Sequence, residues 1–210
     1  MILVQTLFND TYSIIRSSQT GDFSVDDWNL AVAKAEDNLY SLQRAKGLAD
    51  SETQMNMMPF RGDYTPVQTT TGIYSYPSDY LEYIAIGSLV GAHQREIPTA
   101  VISDAKWGAL STSRLIVLPE NPIVRLSETT LQLLPETANL HMVYYKKITH
   151  AFYGVTYNVD DEPIYDAGTS INSMFMPALY QELVDMVIIE ATKSLRDQQL
   201  LTNTAQLINQ

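Results

Sequence analysis

Asp160, Asp161 and Glu162 are the side chains in this sequence most suited to bind a hard cation or to divide acid–base roles between neighbouring carboxylates. Either chemistry requires the carboxylates to converge. In an extended loop consecutive side chains diverge, and Pro163 ends the run, so the three read as a solvated acidic turn. A second candidate runs from Arg16 to Asp27, with Gly21 in the sixth place and Asp27 in the twelfth place of a calcium-loop pattern. Such a loop draws oxygen ligands from its first, third and fifth places, which here hold Arg16, Ser18 and Thr20. The arginine puts positive charge where the principal carboxylate belongs, so this stretch reads as an interhelical turn.

The histidines, His93, His141 and His150, form no His-x-x-x-His pair and read as structural. Ser113 and Ser127 lack the Gly-x-Ser-x-Gly elbow that would make a serine reactive. The nine glycines are dispersed, with no Gly-x-Gly to cradle a phosphate. The absence of cysteine excludes disulfides and thiolate metal sites, and fits assembly in a reducing cytoplasm. The sequence therefore predicts no catalytic, cofactor-binding or metal-binding residue, and a protein that is not an enzyme.

Lys and Arg number 13 against 24 Asp and Glu, a formal net charge of −11. Tight phosphate binding needs clustered cations to displace counterions, and the densest basic spot is Lys146-Lys147. A nucleic-acid reader is not expected, although an acidic surface can border a DNA channel to which DNA does not stick. The opening residues lack the basic and small-residue signatures of a secretory signal, and no apolar run approaches a bilayer span.

Those side chains must be positioned by helices at both ends and strands between. Residues 1–70 predict a helical hairpin plus a long loop. Leu3, Leu7 and Ile14 form one stripe with Val4, Phe8, Tyr12 and Ile15 beside it. Ser24 suits an N-cap, Asp26 and Asp27 suit a first turn, and Trp28, Ala31, Ala35, Leu39 and Leu42 recur at helical spacing until Gly47. Residues 48–70 read as an aperiodic excursion. Residues 71–148 predict six short strands, at 72–77, 80–86, 97–102, 123–126, 129–134 and 140–145, with a short helix at 103–110. Residues 149–176 read as an extended arm. In residues 177–210, Pro177 suits a helix start, and Leu179, Leu183, Val187, Ala191 and Leu195 form a stripe flanked by Met186 and Ile189; residues 199–208 add a short last helix. The predicted fold is α+β: terminal helices packed as a platform, with a small antiparallel β-sandwich or barrel inserted.

The arm is the most informative stretch. It carries Phe152, Tyr153, Tyr157, Ile164, Tyr165, Met174, Phe175 and Met176 with little periodicity. Aromatic and methionine side chains are enriched at protein interfaces, so these eight are the expected partner-contact residues. Met55 to Met58 with Phe60 raise the same expectation more weakly.

Several segments carry a family resemblance: Gly21-Asp-Phe-Ser-Val-Asp-Asp-Trp-Asn-Leu-Ala with Asn38-Leu-Tyr, Pro119-Glu-Asn-Pro-Ile, Leu134-Pro-Glu, Val143-Tyr-Tyr-Lys-Lys, and Pro163-Ile-Tyr-Asp-Ala-Gly-Thr-Ser ahead of a terminal helix. In this order they resemble the head-to-tail adaptor, or ring, proteins of short-tailed, crAss-like bacteriophages. Lys147-Ile-Thr stands where that family has Lys-Pro. The resemblance implies a structural virion protein, assembled in the host cytoplasm into a homo-oligomeric ring of typically twelve copies. The ring would sit under the portal or another ring, extend the DNA channel without sequence-specific binding, and dock the tail, with no membrane partner. The alternatives are another virion component (a tail-tube, stopper or baseplate protein) or, from another class, a small carbohydrate- or peptide-binding module using Trp107 and the tyrosines as a stacking platform.

Overall fold

A computed structural model describes residues 1–17, 23–46, 51–66, 68–90, 95–112, 121–135, 139–160 and 162–208. Its helices are α1 (Val4–Ser17), α2 (Val25–Lys46), α3 (Ser51–Asn56), α4 (Asp104–Thr112) and α5 (Tyr180–Ile208). Its strands are β1 (Arg61–Tyr64), β2 (Gln68–Thr70), β3 (Ile73–Ser75), β4 (Tyr80–Val90), β5 (Arg95–Pro98), β6 (Ala100–Val101), β7 (Ile123–Leu126), β8 (Thr130–Leu134), β9 (Asn139–Lys146), β10 (Val155–Tyr157) and β11 (Pro163–Tyr165). The fold is α+β. Met1–Pro59 and Ile148–Gln210 make a helical unit, and Phe60–Lys147 make a β unit inserted into it in sequence.

In the helical unit α5 packs on both α1 and α2, so the terminal helices do come together. The buried face of α1 is Val4, Leu7, Thr11 and Ile15, while Leu3 and Ile14 of the expected stripe are exposed. Thr11 explains the rotation. It sits inward because its hydroxyl donates to the Leu7 carbonyl at 2.7 Å and accepts the Trp28 indole N–H at 2.7 Å, so a polar residue occupies a core position that apolar spacing does not reveal.

Helix α2 opens on a reciprocal cap. The Asp27 N–H donates to Ser24 Oγ at 3.1 Å, and the Ser24 N–H and hydroxyl donate to Asp27 Oδ2 at 3.1 and 2.7 Å. Trp28, Ala31, Ala35 and Leu39 are buried, but Leu42 is exposed and Gln43 takes the inward place. Leu179, Leu183, Val187, Ala191 and Leu195 are buried, and Ile189 is exposed. No separate last helix forms: α5 runs unbroken to Ile208, with no Gly or Pro in its length to interrupt it.

The β unit holds two sheets, ordered β1-β9-β4-β5 and β2-β3-β8-β7-β6. Tyr74, Ile86, Val124, Leu131, Leu133, Leu140, Met142 and Tyr144, drawn from both sheets, form one buried cluster. The stretch expected as a single strand at 97–102 divides between the sheets. β5 pairs with β4, and the chain turns at Thr99, whose N–H donates to the Ile86 carbonyl at 2.9 Å, into β6. β6 then pairs parallel with β7, the one departure from the expected antiparallel pattern among the described residues. A parallel pair requires a crossover, and α4 lies within it, fastened by Arg125 Nε to Asp104 Oδ1 at 2.6 Å.

The expected excursion at 48–70 instead contains α3, β1 and β2. β1 reads Arg-Gly-Asp-Tyr, a poor strand former, and its partner β9 lies some eighty residues on, so the pairing has no local signature. Gly62 faces Tyr144 across the ladder, where a Cβ would fall 2.4 Å from the tyrosine ring. Tyr144 cannot readily move aside, because it is buried and its hydroxyl donates to Asp79 Oδ1 at 2.8 Å. Gly62→Ala is therefore expected to destabilise the protein by about 2 kcal/mol, as overpacking does, measured by denaturant unfolding. An unchanged midpoint would show that the ring gives way.

Candidate functional site

The polar chemistry of the helical unit is organised by α2. Asn29, Glu36 and Gln43 recur every seven residues, two helical turns apart, on the face that meets residues 149–176 and α5. Asn29 pairs with the backbone of Tyr153 as a strand neighbour would, accepting its N–H at 2.8 Å and donating to its carbonyl at 3.2 Å. Gln43 is buried and donates to Glu182 Oε2 at 3.4 Å.

Glu36 is the centre of this seam. It is fully buried, and both carboxylate oxygens are engaged. Ser173 donates its hydroxyl to Oε1 at 2.5 Å, and the Ala151 N–H donates to Oε2 at 2.8 Å. His150 Nδ1 lies 3.4 Å from Oε2, long for a hydrogen bond but close enough for attraction, and its Nε2 lies 3.6 Å from Asp37. Burial pushes the Glu36 carboxyl above its ordinary 4.5, against the opposing pull of Ser173, Ala151 and His150. An acid with a raised folded-state value stabilises the fold most below pH 4.5, and that contribution is lost as pH rises through the raised value. Thermal melts of the wild type and Glu36→Gln from pH 4 to 8 should therefore show the wild type losing ground to the variant as pH rises. Parallel curves would refute the assignment.

The predicted arm is not an extended one. Phe152 bridges to Ile171 and Ile2 bridges to Ser173, both antiparallel. Tyr153 is buried against the helices, stacked on Phe8 with ring centroids 3.8 Å apart and edge-on to Trp28 at 6.0 Å. Burial pushes its hydroxyl above the ordinary tyrosine value. Phe175 is fully buried. Tyr165, Met174 and Met176 are half-buried, with Tyr165 tilted on Tyr153 at 4.9 Å and the Thr149 N–H donating to Met174 Sδ at 3.4 Å. The local sequence shows the aromatic content but not the α2 residues that fasten it. Of the eight expected contact residues, Tyr153 and Phe175 are core, while Phe152, Tyr157 and Ile164 are exposed.

Those last two belong to a hairpin. β10 pairs antiparallel with β11, from Val155↔Tyr165 to Tyr157↔Pro163, and among the described residues no third strand joins them. Gly154 leads into it, where a Cβ would lie 2.1 Å from Thr169 Oγ1. At the tip Asn158 Oδ1 accepts the N–H groups of Asp160 and Glu162 at 2.9 and 2.8 Å, so the two described carboxylates sit in an ordered, exposed turn; Asp161 lies outside the described residues. Tyr157 is 65% exposed, Ile164 52% and Val159 99%.

Elsewhere, His141 Nδ1 lies 3.0 Å from Glu96 Oε1, and Ser127 donates to the Thr130 carbonyl at 3.1 Å in the β7–β8 turn. His93, Ser113, and Ser18 to Gly21 of the calcium-like stretch lie outside the described residues. Trp107 is half-buried on α4. Met55 and Met58 are exposed, whereas Met57 and Phe60 are buried. Among the described residues no group of three or more His, Asp or Glu could hold a metal ion, and no helix is long and apolar enough to cross a membrane. A shallow apolar notch of about 350 Å³ lies between Met1, Ile2, Leu3, Thr6, Pro177 and Tyr180.

No known family model matches the chain, and no curated protein matches it significantly. What the chain does is therefore argued from its own residues.

The polar seam was the feature that apolar periodicity missed. Its signal was available in the seven-residue repeat of Asn29, Glu36 and Gln43, polar side chains on a helix face otherwise occupied by Trp28, Ala31, Ala35 and Leu39.

Proposed function

We propose that the chain is a structural subunit of a bacteriophage particle, forming a homo-oligomeric ring in the head-to-tail connector that extends the portal's DNA channel and docks the tail. One observation carries most weight: an anchored hairpin, which no third strand joins among the described residues, holds Tyr157, Val159 and Ile164 in water. Apolar side chains fixed in solvent are costly to a free monomer and useful to a subunit with neighbours. The segment resemblance to ring adaptors implies the class of assembly and a copy number that is typically twelve in that family. The net charge of −11 suits a channel wall that DNA slides past.

Purified chain at rising concentration, measured by mass photometry, should populate a closed species at an integer multiple of 23.6 kDa. A reconstruction of the intact particle should place the chain between portal and tail. Finding it in the tail tube, stopper or baseplate would replace this assignment, and finding it outside particles as a solitary ligand-binding protein would overturn it.

A further inference from the structure

Three titratable groups meet at the root of the β10–β11 hairpin. His150 stands between two carboxylates that follow each other on α2: its Nδ1 lies 3.4 Å from Glu36 Oε2, and its Nε2 lies 3.6 Å from Asp37 Oδ1. Nδ1 is buried and makes no hydrogen bond among the described residues. A neutral imidazole carries one N–H, so one of its nitrogens must turn a lone pair toward a carboxylate oxygen. Only the imidazolium can donate from both. The arrangement is complete only with a further proton, held by the ring or by the carboxyl it faces.

The other groups that meet Glu36 are the Ser173 hydroxyl and the Ala151 N–H, both neutral donors. On α5, Glu190 takes Lys193 at 2.6 Å and Asn38 at 3.2 Å. On α1, the Asp10 carboxylate accepts from the Tyr180 hydroxyl. Ala151 and Ser173 lie either side of the hairpin, with the Phe152–Ile171 bridge between them and β10–β11. Both approaches to the hairpin therefore end on one fully buried carboxylate.

Without its proton the cluster sets that buried carboxylate beside a second one with no cation between them, which is costly away from water. Opening the segment lets water reach Glu36 and relieves the cost. The closed segment thus binds the proton more tightly than the open one, so acid favours closing and base favours opening. Burial raises the Glu36 carboxyl, which has the same sign.

We infer that Glu36, His150 and Asp37 form a proton-operated clasp, which holds residues 149–176 against α2 when the cluster is protonated and loosens the hairpin root when it is not. The proton belongs to the cluster rather than to one residue. The clasp does not depend on the ring reading, because every group in it lies within one chain.

Amide hydrogen exchange of the full-length chain from pH 5 to 8 tests this, with rates expressed as protection factors so that the intrinsic pH dependence of exchange is removed. The reporters are the Ala151, Phe152 and Ile171 amides, and the control is the Leu133 amide of the β unit, bonded to the Gly72 carbonyl. Protection of the reporters should fall about tenfold relative to the control as pH rises, the worth of one hydrogen bond to a charged group. His150→Gln should be less protected than the wild type at pH 5 and equal to it at pH 8, and Glu36→Gln with His150→Gln should remove the step. Asp37→Asn alters a mostly exposed side chain, so it folds whether or not His150→Gln does, and should narrow the step. Protection that is flat or rises with pH in the wild type would overturn the clasp. So would a full step in His150→Gln or, if that variant does not fold, a full step in Asp37→Asn.

Discussion

Glu36→Ala is expected to lower the stability of the protein by about 3 kcal/mol, because two buried donors lose their acceptor at once. The Ala151 N–H and the Ser173 hydroxyl both end on this carboxylate, and both residues are buried. Neither donor has water to turn to when the side chain is truncated, and the methyl group leaves a void around them. For a chain of this size the loss corresponds to a fall in melting temperature of about 10 °C. The effect should also be local. Ala151 and Ser173 lie in the two irregular segments either side of the hairpin, which are joined by the isolated Phe152–Ile171 bridge, so residues 149–176 should become the first protease-sensitive stretch in the variant. Glu36→Gln retains an acceptor for Ala151 and can still meet Ser173, and should lose about a third as much. If Glu36→Ala melted within about 1 kcal/mol of the wild type, the carboxylate would not be what holds this segment down.

The second large effect is expected at Trp28. Its side chain is fully buried, edge-on to Phe8 at 5.0 Å and to Tyr153 at 6.0 Å. Trp28→Ala should cost about 4 kcal/mol, the range for deleting a large aromatic from a core. Most of that loss is volume and ring contact rather than hydrogen bonding. Thr11, which accepts the indole N–H, keeps its own bond to the Leu7 carbonyl, so the truncation leaves no donor stranded. Trp28→Phe should accordingly recover about half of the loss. Differential scanning calorimetry of the two variants separates the contributions: a phenylalanine variant as unstable as the alanine one would assign the cost to the indole N–H.

What the sequence reveals and what it hides follow from the range of the interactions involved. The cap at Ser24, the Trp28-Ala31-Ala35-Leu39 stripe, the Pro177 start and the Leu179 to Leu195 stripe are local, because each depends on residues within one or two turns. Strands β3, β4, β7, β8 and β9 are likewise legible in β-forming composition between turn residues. β1 is not, since Arg61-Gly62-Asp63-Tyr64 becomes a strand only because β9 lies beside it. The division of 97–102 between two sheets is hidden for the same reason: the bonds that make the corner run to Ile86 and Pro122.

The candidate surface divides in the same way. An aromatic-rich segment could be picked out from composition, but its sorting into core and surface could not. Tyr153 and Phe175 are drawn inward by α2, α1 and the Glu36 seam, whereas Tyr157 and Ile164 remain outside on a hairpin that turns at Asn158. The distinction rests on Asn29 and Glu36, more than a hundred residues earlier.

The first and last strands of the β unit are ladder neighbours, with Arg61 opposite Tyr145. The chain thus enters and leaves this unit at one end of a single antiparallel pair. Tension applied through the two junctions would load the β1–β9 bonds one after another rather than all together. Such a ladder opens like a zip, at low force, and the β unit would peel from its entry strand before the sandwich behind it is strained. This geometry makes the β1–β9 ladder the compliant element of the unit and leaves the two-sheet core as the stiff one.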